Sequence, residues 1–165
     1  MKTKNHLDPL KTNGGFSLIE LLIVISVMAI LLAMATPSFI DWRRNLQYKE
    51  AAEGIVSALR TARNNAITLN RQNRVECNPS GNRYRITEGN RAYESSSWTA
   101  VKQDWVTLPG GVTMKTGDCT SSTDANIGFS PNGTASAGTV CIRDDSSTKY
   151  QVIVAASGRI RSVKP

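Results

Sequence analysis

Gly14-Gly15-Phe16-Ser17-Leu18-Ile19-Glu20 runs straight into an uncharged apolar stretch, Leu21–Ile40, and the reading of this junction decides the fold. Glu20 is a single carboxylate at the mouth of a segment long enough to span a bilayer core, which takes about 20 apolar residues. An ionised acid in hydrocarbon costs at least several kcal/mol (~3 or more) unless it is paired or protonated. Glu20 therefore asks for a cation. An ordinary membrane anchor has no need of the Gly-Phe-x-x-x-Glu spacing. A secretory signal peptide would use Ala33-Met34-Ala35 as its cleavage site. Against it, Glu20 interrupts the start of the apolar run and Pro37 lies close behind the cut. Flanking charge is indecisive, because Lys2, Lys4 and Lys11 precede the span while Arg43 and Arg44 come just after it.

Gly15–Glu20 and the hydrophobic length behind it resemble the class III signal of type IV pilins and type II secretion pseudopilins. The resemblance implies that a prepilin peptidase cuts between Gly15 and Phe16 and methylates the new N-terminal Phe16. The freed α-amino group on a neighbouring copy then supplies the cation that Glu20 lacks, which makes Glu20 an assembly residue. It also implies an inner-membrane, single-pass protein with its C-terminal part in the periplasm, later carried into a pilus or pseudopilus with other pilins.

Composition bounds the remainder. The chain has 165 residues and a net charge of +7; removing Met1–Gly15 takes away three lysines and one aspartate, leaving +5. That excess suits an anionic partner without specifying one. The stretch beyond the apolar span has room for one globular domain. The three cysteines, Cys77, Cys119 and Cys141, are far apart, and the single histidine, His6, lies in the leader. No metal site and no cofactor are expected. Two of the three cysteines can pair in an oxidising periplasm. Cys119 with Cys141 is the favoured pair, because it closes a loop around a Ser/Thr/Gly-rich segment, and it leaves Cys77 free. A mature chain without histidine cannot build a Ser-His-Asp or Cys-His arrangement, and no phosphate-cradling glycine motif occurs, so an enzyme is not expected.

Beyond Ile40 the apolar pattern turns amphipathic. Tyr48, Ala52, Ile55, Leu59, Ala62, Ala66 and Leu69 recur at steps of four and three, one stripe of a helix running to about Asn73, with Pro37 and Gly54 as candidate bends. From Arg74 the period shortens. Arg74–Cys77, Tyr84–Thr87, Val112–Lys115, Ala125–Phe129, Thr139–Arg143 and Tyr150–Val154 read as strands between turn signals such as Pro131-Asn132-Gly133. The last two form a hairpin around Asp144–Thr148. The expected architecture is α+β: a leader (1–15), a transmembrane helix half (16–40), an amphipathic helix half (41–73) and an antiparallel β-domain with a basic tail (74–165).

The tail, Gly158-Arg159-Ile160-Arg161-Ser162-Val163-Lys164-Pro165, holds three cations. In an extended backbone Arg159 and Arg161 point the same way, about 7 Å apart, near the phosphate spacing of one nucleic-acid strand. Guanidinium forks suit phosphate oxygens. With the Phe129-Ser130-Pro131-Asn132-Gly133 turn and a cysteine-bearing strand at Cys141, the chain resembles the GspH/FimT family of minor pilins and pseudopilins. In that family, FimT-type members bind DNA through a Gly-Arg-x-Arg motif, which falls here on Gly158, Arg159 and Arg161; Lys164 is added on charge and proximity. The resemblance implies DNA capture for natural transformation; contacts directed at the phosphate backbone make it sequence-independent. The alternative it carries is a pilin or type II secretion pseudopilin that primes filament assembly without DNA. In a second basic group, Arg71 and Arg74 are expected to oppose the helix C-terminal dipole and Arg83, Arg85 and Arg91 to be exposed strand residues, with at most a minor part in a DNA track. No aromatic interleaving is visible in it.

Overall fold

One long helix and nine short strands make up the described fold. The computed structural model describes residues 15–101 and 105–165, and within the helix the side chains of residues 35–37 also lie outside the description. The expected leader as far as Gly14 and the Pro37 side chain therefore fall outside it. Helix α1 spans Leu18–Leu69. It starts at Ser17, whose carbonyl accepts the N–H groups of Glu20 at 3.0 Å and Leu21 at 3.2 Å. Glu20 in the first turn suits the positive end of the helix dipole. The helix stops at Leu69, short of the expected Asn73, because Asn70 turns into the left-handed region at φ 51°.

The chain divides into two units after Ile40. In the first, every residue whose burial is described is exposed, including Leu21, Ile23, Ile25, Leu31 and Phe39. A helix apolar on all sides has no core of its own to make and belongs in an apolar surrounding. Among the described residues no single helix is long and apolar enough to cross a membrane; Leu18–Met34 together with Ser38–Leu69 passes by length and composition.

The second unit contains β1 (Asn73–Asn78), β2 (Arg83–Gly89), β3 (Trp98–Ala100), β4 (Val106–Thr107), β5 (Thr113–Thr116), β6 (Ala125–Phe129), β7 (Gly138–Arg143), β8 (Thr148–Val154) and β9 (Ile160–Val163). They form two antiparallel sheets. One runs β3-β2-β1-β6, with β4 also paired to β2; the other runs β5-β7-β8-β9. Within this unit the stripe of α1 packs on both. Tyr48, Ala52, Ile55, Leu59, Ala62 and Ala66 are buried with Val75, Ile127, Phe129, Val140, Ile142, Val152 and Val154. The alanines let the sheets approach the helix axis, while buried Ile55 and Leu59 each contribute about 1.5–3 kcal/mol of apolar burial. Leu69, the last residue of the expected stripe, is 50 % exposed, since the chain leaves the helix there. At Gly54, the other candidate bend, a Cβ would lie 2.9 Å from the Tyr84 hydroxyl, so the missing side chain makes room for that phenol.

Cys119 and Cys141 are joined in a disulfide with their Cα atoms 5.3 Å apart, tying the loop after β5 to β7. The Cys119 carbonyl accepts a hydrogen bond from Arg143 Nη1 at 2.6 Å. Cys77 is free and buried. Burial, with a smaller contribution from the Asp124 charge, pushes its thiol up to about 12. The loop between β7 and β8 is closed by Asp144, whose Oδ1 accepts from the N–H groups of Ser146 at 2.9 Å and Ser147 at 2.6 Å. Lys149 meets the same carboxylate at 2.9 Å and, with those backbone donors, holds it well below the usual carboxylate range.

Candidate nucleic-acid interface

The basic tail is an ordered strand. Ala155–Arg159 reverses the chain after β8, closed by Gly158 N–H donating to Ala155 O at 2.8 Å and Ala155 N–H donating to Arg159 O at 3.0 Å. β9 then pairs with β8, setting Arg161 opposite Ile153 and Ile160 opposite Val154. Because only one side of β9 is paired, it forms the edge of its sheet.

Gly158 is required here twice over. Its φ is +77°, and a Cβ would sit 2.0 Å from the carbonyl oxygen of Gly133. Gly133 ends the Phe129–Gly133 turn, where its N–H donates to Ser130 O at 2.9 Å and Asn132 Oδ1 accepts from Thr134 N–H at 3.1 Å. The two motifs singled out in the sequence thus meet backbone to backbone. A third group braces them: Arg63 on α1 donates from Nε to Gly133 O at 3.3 Å. Ala135 N–H adds a bond to Ala156 O at 2.9 Å.

The tail cations do not share one face. Ile160 packs on the core and Ser162 borders α1, so strand alternation turns Arg161 to the opposite side of the sheet. Arg159 precedes the strand, outside its pleat, and lines a groove of about 530 Å³ with Arg60, Arg63 and Asn64 of α1. The expectation that Arg159 and Arg161 point the same way fails because the turn, not an extended run, carries Arg159. Arg159, Arg161 and Lys164 are all exposed. None takes part in an ion pair among the described residues. Sequence reasoning missed Arg60 and Arg63 as neighbours of the tail. Their i, i+3 spacing put them on one helix face, but nothing local says which loop that face meets.

The second basic group is built differently. Arg71 pairs with Glu88 at 3.2 Å, and Arg74 and Arg85 both hold Glu76, the latter at 2.7 Å. Thr87 Oγ1 donates to the same carboxylate at 3.2 Å. Partial burial raises the Glu76 pKa, but the Arg85 and Arg74 bonds and charges outweigh it, and the net shift is downward. Arg74 stacks on Trp98 at 4.0 Å, while Arg83 and Arg85 stack on Trp105 at 4.6 and 4.4 Å. Arg71 and Arg74 therefore serve carboxylates rather than the helix end, and aromatic partners invisible in the linear spacing arrive from β3 and from the residue before β4.

Residues 51–158 match the family described as Type II transport protein GspH, and residues 10–36 match the Prokaryotic N-terminal methylation motif. The chain belongs to the GspH family. Its fold is similar to that of the minor pseudopilin EpsH from the type 2 secretion system of Vibrio cholerae, at 13 % identity and a TM-score of 0.60 over 72 % of this chain and 96 % of that one. It is also similar to the type IV minor pilin FimU of Pseudomonas aeruginosa, at 17 % identity and a TM-score of 0.56 over 75 % and 92 %. A fimbrial protein of Pseudomonas aeruginosa is 36 % identical over 77 residues, 47 % of this chain and 49 % of the relative. The chain spans about half the length of the curated relatives it matches. GspH-family membership and the methylation motif make this a minor pilin or pseudopilin subunit with an α+β fold.

Proposed function

We propose that this minor pilin captures DNA through Gly158, Arg159, Arg161 and Lys164 and supports DNA uptake in natural transformation. The observation that carries the reading is an edge strand, with its two flanking residues, that presents three exposed cations without an ion pair among the described residues. Gly158 sets the turn; the arginines and Lys164 contact phosphates, without a base code. The protein works as a binding subunit and not as an enzyme. Arg159→Gln/Arg161→Gln tests it in a mobility-shift titration at several salt concentrations. Each lost phosphate contact removes about 0.9 from the slope of log affinity against log salt, so the double variant should lose roughly two units. The melting curve should barely move, since both side chains are exposed. Unchanged DNA affinity in a folded double variant overturns the assignment.

A second reading, filament priming in a secretion pseudopilus without DNA, is favoured by the likeness to EpsH. The two readings share one N-terminus. In both, prepilin peptidase cuts between Gly15 and Phe16, the methylated Phe16 leads a single inner-membrane pass, the domain faces the periplasm, and Glu20 pairs with a neighbouring subunit during assembly. Mass spectrometry of the mature chain should find methylated Phe16 first; a start at Thr36 would establish a cleaved signal peptide instead.

A further inference from the structure

The groove between α1 and the turn before β9 brings three guanidiniums together from two distant parts of the chain. Arg60 and Arg63 lie three residues apart on the helix, and Arg159 faces them from the turn. Among the described residues no carboxylate lines this groove. The nearest acid along the helix, Glu53, borders the adjoining hollow and is paired with Lys49 at 3.7 Å. The side chains of Arg60 and Arg159 have no hydrogen-bonded or ionic partner among the described residues, so three like charges sit together without an acid.

Arg63 is held in place. Its Nε bonds Gly133 O at 3.3 Å, which fixes the guanidinium plane while leaving the terminal nitrogens for another acceptor. The Asn64 amide and the Ser157 hydroxyl add neutral donors, and Ile67, half exposed, supplies an apolar wall. Planar forks around an acid-free groove match the oxygens of a phosphate. Arg60 and Arg159 are exposed, so the groove is open to solvent and admits a length of polymer rather than enclosing a small ligand.

We propose that this groove seats a backbone phosphate of DNA, with Arg60 and Arg63 of α1 gripping it from the side opposite Arg159. The proposal rests on the DNA-binding reading above and moves its centre from the tail alone to a cleft shared with the helix. Arg161, on the far face of β9, then contacts a different phosphate.

The test uses the full-length chain in neutral detergent and the variants Arg60→Gln, Arg60→Lys and Arg71→Gln. Binding is read by fluorescence anisotropy with two labelled duplexes of unrelated sequence. Arg60→Gln should weaken both about tenfold, the usual worth of one charge-assisted contact, and shallow the salt slope by roughly one unit. Arg60→Lys should restore the slope but only part of the affinity, because a lysine keeps the charge without the fork. Arg71→Gln, whose arginine is already paired with Glu88, should change neither. Melting curves of all three should overlay the parent. If the parent binds DNA and loses it in the tail double variant while Arg60→Gln changes nothing, the groove is wrong and the tail reading stands. If the parent does not bind DNA, both fall. Arg60-dependent binding to vesicles of anionic phospholipid, with none to DNA, would assign the groove to lipid phosphate and overturn the proposal.

Discussion

Two arginine groups sit on the second unit, and what separates them most is the company each keeps. Around β1 and β2, Arg71, Arg74 and Arg85 are each bonded to Glu88 or Glu76, and Arg74, Arg83 and Arg85 lie on tryptophan rings. At the β9 edge, Arg159 and Arg161 have neither acid nor ring against them among the described residues. Arg71, Arg74 and Arg85 spend their hydrogen-bonding capacity on the fold. The second group keeps it. A count of basic residues along the chain ranks the first group higher; the partners reverse that order.

The strongest way to break the contrast is to disturb the support of the free group. Gly158→Ala places a methyl against the Gly133 carbonyl at a left-handed φ. The substitution should cost about 3 kcal/mol, from backbone strain and the displaced contact, and should weaken DNA binding although every cation remains. A Gly158→Ala protein with parental melting temperature and affinity would show that the junction does not hold the edge in place.

Glu76→Gln sharpens the contrast from the other side. It removes the shared partner of Arg74 and Arg85, a carboxylate only 12 % exposed, and should destabilise the domain by about 2 kcal/mol. The two freed arginines should raise DNA affinity modestly and steepen its salt dependence. Equal DNA binding would mean that pairing is not what silences this face. The pH profile supplies the sign. The Glu76 pKa in the folded protein lies below its ordinary 4.5, so its stabilisation is complete above that pH and is lost as pH falls through the lower folded value. Asp144 and Asp118, also lowered, act in the same direction. Thermal melts between pH 7 and pH 3 should therefore fall less steeply for Glu76→Gln than for the parent.

Much of the fold is legible in the sequence because its signals are local. The four-three stripe of α1 marks the buried helix face, and β6 occupies the expected Ala125–Phe129. The short strands β3 and β4 are not legible: Trp98–Ala100 and Val106–Thr107 gain their pairing only from opposite ends of β2. β9 reads as an extended tail, since the sequence around Arg159–Lys164 carries no mark of an edge strand. The split between Arg159 and Arg161 depends on where the turn ends and the pleat begins. Arg60 gives no sign of its place because it lies off the apolar stripe. Its proximity to Arg159 is set by the meeting of Gly133 with Gly158, residues brought together only by the folded sheets.

The β8–β9 pairing has a thermodynamic consequence for any ligand that reaches this edge. Fixing one residue of a flexible backbone costs about 1–2 kcal/mol. Ile160–Val163 is already fixed by its ladder to β8, and Gly158 by the carbonyl it touches, so that loss occurs during folding and not during capture. A detached peptide spanning Gly158–Lys164 has the same charges and must surrender its freedom at the moment of contact. The domain meets any such ligand with that entropy already gone, so a larger part of each contact's free energy is kept as affinity.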